Sequence, residues 1–347
     1  MQMVSNPVPP VVSRISHGAI KAKPIPIHWD QSMPVFAKEE FLRAVGDEYG
    51  WLGGIDESEK LRCVLPYTIV RKTGLRMVRF RVETVVCGEG LDIEEEKSFL
   101  NNVVKHFRTA GADVIIPPSN NTLFRTYPDG ASPAPYGSYV IDLQQSEEIL
   151  WKNVSKTSRQ NITAAQKDEV SVREGMDLLD PAYDLIRATF RRSKMGFMSR
   201  DSFNRFALSL GENCKLLVAE QRGVAQSYGL FAFSNPSAFW VYGGNVEGQH
   251  PGAMKLLQWE AIRQFRALGV NKYDFYGARV DPPKGSKQEG INKMKKHLGG
   301  SLLQGYVWKY SLRPSRAWVY SKAVRVLRGG DIVDQEQHKM KDPDASI

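Results

Sequence analysis

The chain is poor in cysteine: Cys63, Cys87 and Cys214 are the only three in 347 residues, and none belongs to a C-x-x-C pair. That scarcity excludes a disulfide-stapled scaffold and a cysteine zinc site, and it fits a reducing compartment. Histidine is equally uninformative. His17, His28, His106, His250, His297 and His338 are scattered without metal-ligand spacing, and no Ser/His/Asp arrangement is readable. No uncharged apolar run reaches 18 residues, so no segment reads as a membrane-spanning helix. The segment Met1 to Lys23 carries Pro7, Pro9 and Pro10 but no apolar core followed by a cleavage site, so it reads as a flexible leader and not a signal peptide. A cytoplasmic protein is expected.

What is present is ordinary for a globular protein: 42% apolar and 24% charged residues, in a chain long enough for two domains. The formal charge of +9 is unevenly distributed. Residues 1–150 hold 16 Lys/Arg against 19 Asp/Glu, whereas residues 151–347 hold 31 against 19. Over 284–328, 11 cations face a single acid, Glu289. A basic concentration of this kind suits phosphate-rich partners or an anionic membrane surface, and equally a solvated face.

Periodicity predicts the same rhythm twice. In the first half a hairpin around Lys72-Thr-Gly74 precedes a helix over 94–110, ended by Gly111, and a buried strand at 112–116. In the second half a hairpin around Gln221-Arg-Gly223 precedes strand 238–242, helix 253–268 and strand 272–276. Element order repeats while residue identities barely do. The fold class expected is α+β: two tandem domains, each a mostly antiparallel mixed sheet flanked by helices. Their boundary falls near Gln144 to Ser146, giving domains at 24–145 and 146–328, and a polar, disordered tail at 329–347.

Three segments carry a likeness to a known family. They are Trp151 to Lys167, with Arg159 on a basic helix; Leu256 to Glu260 leading to Tyr273-Asp-Phe-Tyr-Gly277; and Gly290-Ile-Asn-Lys-Met-Lys-Lys-His-Leu-Gly-Gly300. Together they resemble the FemABX group, peptidoglycan-bridge aminoacyltransferases built from GNAT-like domains. Met294 and Leu298 stand where that group usually has aromatics. The absence of a long charged heptad run is similar to its compact form without a helical arm. The resemblance implies an aminoacyl-tRNA donor, an anionic amine-bearing acceptor such as a muropeptide precursor, and no cofactor.

Candidate site residues follow, each with a competing structural role. Lys295 matches the lysine of the family's Phe-Lys pair, which implies a charge-stabilising role, with Lys293 beside it. Asp274 interrupts an aromatic strand, where a carboxylate is costly unless paired or functional; it could orient or deprotonate an amine nucleophile, or bond a neighbouring turn. Arg159 and Lys156 lie three apart on one helix face and could grip a diphosphate together. Tyr242 and Tyr276 suit the lining of a cleft, or a core. Gln249 to Ala253, with Gly252, stands where GNAT acetyltransferases hold the pyrophosphate of acyl-CoA, although Met254 occupies a position that should be small.

Three functions remain in play. The first is amide formation by direct aminoacyl transfer. The second is N-acyl transfer from acyl-CoA or an acyl carrier protein to an amino sugar or other amine. The third is non-catalytic binding of nucleic acid or a membrane surface, with peripheral contact through 309–328 at the inner face of the membrane.

Overall fold

A computed structural model describes residues 20–341, apart from Glu89 and Lys194. The leader's first 19 residues and the final six therefore lie outside the described residues. In chain order the first half contains β1 (Lys21–Ile25), α1 (Glu39–Val45), β2 (Glu48–Ile55), β3 (Leu61–Lys72), β4 (Leu75–Phe80), β5 (Val85–Val86), α2 (Ile93–Thr109), β6 (Val114–Ile115) and β7 (Ser132–Asp142). The second contains α3 (Glu147–Asn153), α4 (Lys156–Lys167), β8 (Val170–Glu174), α5 (Leu179–Arg192), α6 (Arg200–Ser209), β9 (Cys214–Gln221), β10 (Val224–Ser234) and β11 (Ser237–Asn245). It continues with α7 (Ala253–Ala267), β12 (Lys272–Asp274), α8 (Lys287–His297), β13 (Ser301–Ser311), α9 (Pro314–Arg328) and α10 (Ile332–Lys341).

The local reasons are legible in the residues. Thr73 and Gly74 both take positive φ at the β3–β4 turn, as do Arg222 and Gly223 at β9–β10, which matches the right-handed twist of a tight hairpin. Asp92 and Glu95 form a reciprocal capping box that starts α2. Ser146, Ser155, Ser199 and Ser286 cap α3, α4, α6 and α8 through their hydroxyls.

The strands form one continuous sheet in the order β1-β2-β3-β4-β6-β13-β7-β12-β11-β10-β9-β8, with β5 pairing β3 off this path. Two neighbouring pairs are parallel, β4 with β6 and β11 with β12; the other pairs along the path are antiparallel. Each parallel pair is joined through a crossover helix, α2 in the first half and α7 in the second. The fold is thus α+β, with the predicted duplication present in topology.

Three features differ from the sequence reading. β7 precedes the boundary drawn near 144–146, yet it pairs with β12 and β13 of the second half, while β13 also pairs with β6 of the first. The sheet therefore runs unbroken between the halves. The tail expected to be disordered forms α10 instead: Val333 is buried, Asp331 and Asp334 both pair with Lys309, and Glu336 pairs with Arg279 and Lys339. Its polar composition reflects charges held by partners. Finally, β12 stops at Asp274, because Tyr276 and Gly277 both adopt positive φ.

One apolar core lies under α2 and is completed by Trp308 of β13, and another lies under α4 and α7. A third joins the halves, packing Val35, Phe36 and Phe41 against α5, α6, Phe239 and Val241. The candidate site opens beside this shared core.

Candidate functional site

Where two parallel strands end, the chain leaves the sheet and a crevice opens, which is where open α/β sheets bind ligands. Here both parallel pairs end on one cavity of about 890 Å³. β4 contributes Arg79 and the residue beyond its end, Arg81; the loop after β6 contributes Ser119 to Asn121. β11 contributes Tyr242, and the turn after β12 contributes Tyr276. Phe190, Phe197 and Phe206 close one wall.

Arg79 and Arg81 set the electrostatics. They are two residues apart on an extended segment and reach the same space. Arg81 donates through Nε to Thr68 Oγ1 at 2.9 Å and through Nη2 to the Val45 carbonyl at 2.8 Å. Among the described residues Arg79 reaches only the Pro118 carbonyl, at 3.4 Å, and its buried Nε has no partner. Among the described residues no carboxylate forms an ion pair with either. Burial, reinforced by neighbouring Arg79, pushes the Arg81 guanidinium down to about 9; burial also lowers Arg79. Both remain cations at neutral pH, partly stripped of water. Asp47 also lines the cavity, but an anionic group entering it would find two guanidiniums that form no ion pair among the described residues.

The two tyrosines arrive by different devices. Strict alternation would put Tyr242 on the face of Ala238 and Trp240, against α7. Pairing skips Val241, however: Leu230 opposes Tyr242 and Phe231 opposes Trp240. This bulge turns Tyr242 to the opposite face, where it meets Phe197 and Phe206 with ring centroids 5.1 and 5.7 Å away. Burial raises its phenol to about 12. Tyr276 instead owes its place to the left-handed turn, at φ 61°, a conformation that costs an aromatic residue energy. Burial holds its phenol well above the ordinary range.

Behind that turn lies a buried polar network containing both predicted catalytic residues. Asp274 Oδ1 accepts from the Tyr276 amide at 2.8 Å and from the Ser138 hydroxyl. Ser138 Oγ in turn accepts from the Gly277 amide at 3.0 Å, and Lys295 Nζ donates to the Gly277 carbonyl. Burial raises the Asp274 carboxyl above its ordinary value, opposed first by the Ser138 bond. Burial pushes Lys295 down to about 8, opposed by Asp274. Asp274 and Lys295 are 3% and 4% exposed, and neither lines the cavity. In this structure they position Tyr276 and Gly277.

The remaining predicted residues are not brought together with these. Arg159 directs Nη1 at the carbonyls of Trp151, Lys152 and Val154, at 3.2, 2.9 and 2.7 Å, and so closes the C-terminus of α3. Lys156 is exposed at the start of α4, and Lys293 is exposed and paired with Glu289 at 3.1 Å. Gln249 accepts from Ser227 Oγ at 2.7 Å. Gly252 lies against α4 so closely that a β-carbon there would sit 2.1 Å from the Asn161 carbonyl oxygen. The amide of Gly252 donates to His250 Nδ1 at 3.1 Å. The first turn of α7 is therefore packed on α4 and bonded locally, where a pyrophosphate would need open backbone amides.

The sequence reading missed Arg79, Arg81 and Ser138. A signal existed for the first two: arginines two apart in the otherwise apolar run Met77-Val-Arg-Phe-Arg-Val82 must share a face. Ser138 carries no such signal, because its role depends on β7 crossing to β12.

With this geometry in hand, the chain can be set beside known proteins. The FemAB family model matches residues 129–222. No curated protein matches the sequence at a significant level. The structure of FemX is similar with a TM-score of 0.62 at 13% identity, over 84% of this chain and 98% of that one. The C-terminal domain of a putative lysylphosphatidylglycerol synthetase from Agrobacterium fabrum is similar with a TM-score of 0.52 at 13% identity, over 85% of this chain and 94% of that one. The family match covers part of the chain, and the likeness to FemX shows a shared fold, of the GNAT type. The family match supports acyl transfer, and aminoacyl transfer in general terms.

Proposed function

We propose that the chain forms an amide bond, moving an aminoacyl group from aminoacyl-tRNA to the amine of an anionic acceptor of the muropeptide-precursor class. The observation that carries this reading is the Arg79–Arg81 pair. Two guanidiniums with no ion-paired carboxylate among the described residues face a cavity at the ends of both parallel strand pairs, beside Tyr242 and Tyr276. A phosphate or diphosphate of the acceptor would bind that pair and so hold the distant amine in place.

The chemistry asks little more of the protein. The amine lone pair attacks the ester carbonyl, a C–N bond forms, the C–O bond to the ribose breaks, and the amine proton ends on the departing ribose oxygen. Tyr242 and Tyr276 stay protonated at neutral pH and can donate to the oxyanion that develops. Asp274 and Lys295 hold the Tyr276 turn in place for this.

The test supplies purified protein with charged tRNA and a nucleotide-linked muropeptide, and with acyl-CoA or phosphatidylglycerol in parallel arms. A mass gain of one aminoacyl residue on the muropeptide, abolished by ribonuclease and reduced in Arg79→Gln, is the expected result. Product formed only from acyl-CoA, or only on phosphatidylglycerol, would refute the donor or the acceptor respectively.

A further inference from the structure

Helix α9 has two unlike faces. Its inner side packs Ala317 and Tyr320 against Leu75, Met77 and Val114. Its outer side presents Trp318, Val319, Lys322, Arg325 and Val326 to solvent, with Leu327 at its edge. Trp318 is 62% exposed, Val326 78% and Leu327 77%. The spacing of 318, 322 and 325/326 stacks these side chains along one stripe. Lys322 Nζ lies 4.9 Å from the centre of the Trp318 ring. The helix contains no acidic residue. Arg313, which caps it, and Arg316 are tied to Asp113, whereas Lys322, Arg325 and Arg328 have no carboxylate partner among the described residues.

We propose that this outer face is an interfacial docking surface for a bilayer carrying anionic lipid. Charge decides among the occupants. A second copy meeting the same face would set Lys322 and Arg325 against themselves, with no acid on either helix to compensate. A nucleic acid would satisfy the cations but would leave Val319, Val326 and Leu327 against phosphates. A lipid surface satisfies both halves of the stripe: the apolar side chains enter the acyl boundary, Trp318 sits at the interface, and the long basic side chains reach up to lipid phosphates. The location gives the contact a consequence. Arg328, the last residue of α9, also lines the Arg79–Arg81 cavity, so docking brings that cavity to the lipid surface.

The surface is independent of the proposed reaction, since vesicle binding requires neither donor nor acceptor. The test sediments the full chain with phosphatidylcholine vesicles, with and without phosphatidylglycerol. The wild type should favour anionic vesicles and release them as salt rises. Lys322→Glu with Arg325→Glu should lose roughly tenfold or more in partitioning. Trp318→Ala with Val326→Ser should weaken binding while leaving the preference for anionic lipid. All these side chains are exposed, so melting temperatures should stay at the wild-type value. Equal partitioning onto neutral and anionic vesicles, or unchanged binding in both double variants, would overturn the proposal. So would a dimer dissociated by Val326→Asp, or tRNA binding lost with Lys322 and Arg325 in a chain that ignores vesicles.

Discussion

Asp274, Ser138 and Lys295 converge on two consecutive residues, Tyr276 and Gly277, that both occupy the left-handed region. Glycine accepts that conformation freely; tyrosine does so only where its surroundings hold it. Asp274→Ala would leave the Tyr276 amide and the Ser138 hydroxyl without their acceptor. It should cost about 3 kcal/mol in denaturant unfolding, and Asp274→Asn clearly less. Lys295 makes a prediction in pH. Its folded value, about 8, lies below that of an exposed lysine, so between the two the unfolded chain binds the extra proton. Stability should therefore rise with pH in that window, by about 1.4 kcal/mol per unit at most. Lys295→Met removes the group and should flatten the gain; parallel stability curves for the two proteins would refute this role. Arg79 and Arg81 oppose each other in the folded state, so Arg79→Gln should leave the melting temperature unchanged or higher while weakening anion binding.

At the scale of elements, the bulge at Val241 decides where Tyr242 points, and close packing decides how α7 meets α4. Gly252→Ala must push a methyl into the backbone of Asn161. It should cost about 2 kcal/mol or more in unfolding free energy, whether or not any ligand is present. A loss of nucleotide binding at unchanged stability would instead point back to a phosphate loop. These elements also show what was legible. Hairpins, α2 and α7 could be read from glycine turns and periodicity, because those signals are local. β13 was overlooked although Tyr306, Trp308 and Tyr310 alternate along it; its purpose is to bridge β6 and β7, a pairing that no local signal records. The basic spacing predicts a helix carrying Arg159, and Arg159 lies on α4. Nothing in its spacing says that its guanidinium turns back to close α3.

At the scale of the molecule, the duplication explains the site. Each half ends a parallel strand pair, and the unbroken sheet aims both endings at one cavity. The arginines come from one half and the tyrosines from the other, so the pairing was invisible along the sequence. Because β7 and β13 tie the halves together, thermal unfolding should be a single transition with coincident calorimetric and spectroscopic midpoints. Two separated transitions would mean that the halves stand alone. The central claim is that Arg79 and Arg81 hold an anionic acceptor. The most direct measurement is calorimetric titration of a nucleotide-linked muropeptide into the wild type and into Arg79→Gln. The account predicts binding that weakens tenfold or more in the variant and fades with rising salt. Equal affinity in the two proteins would contradict it.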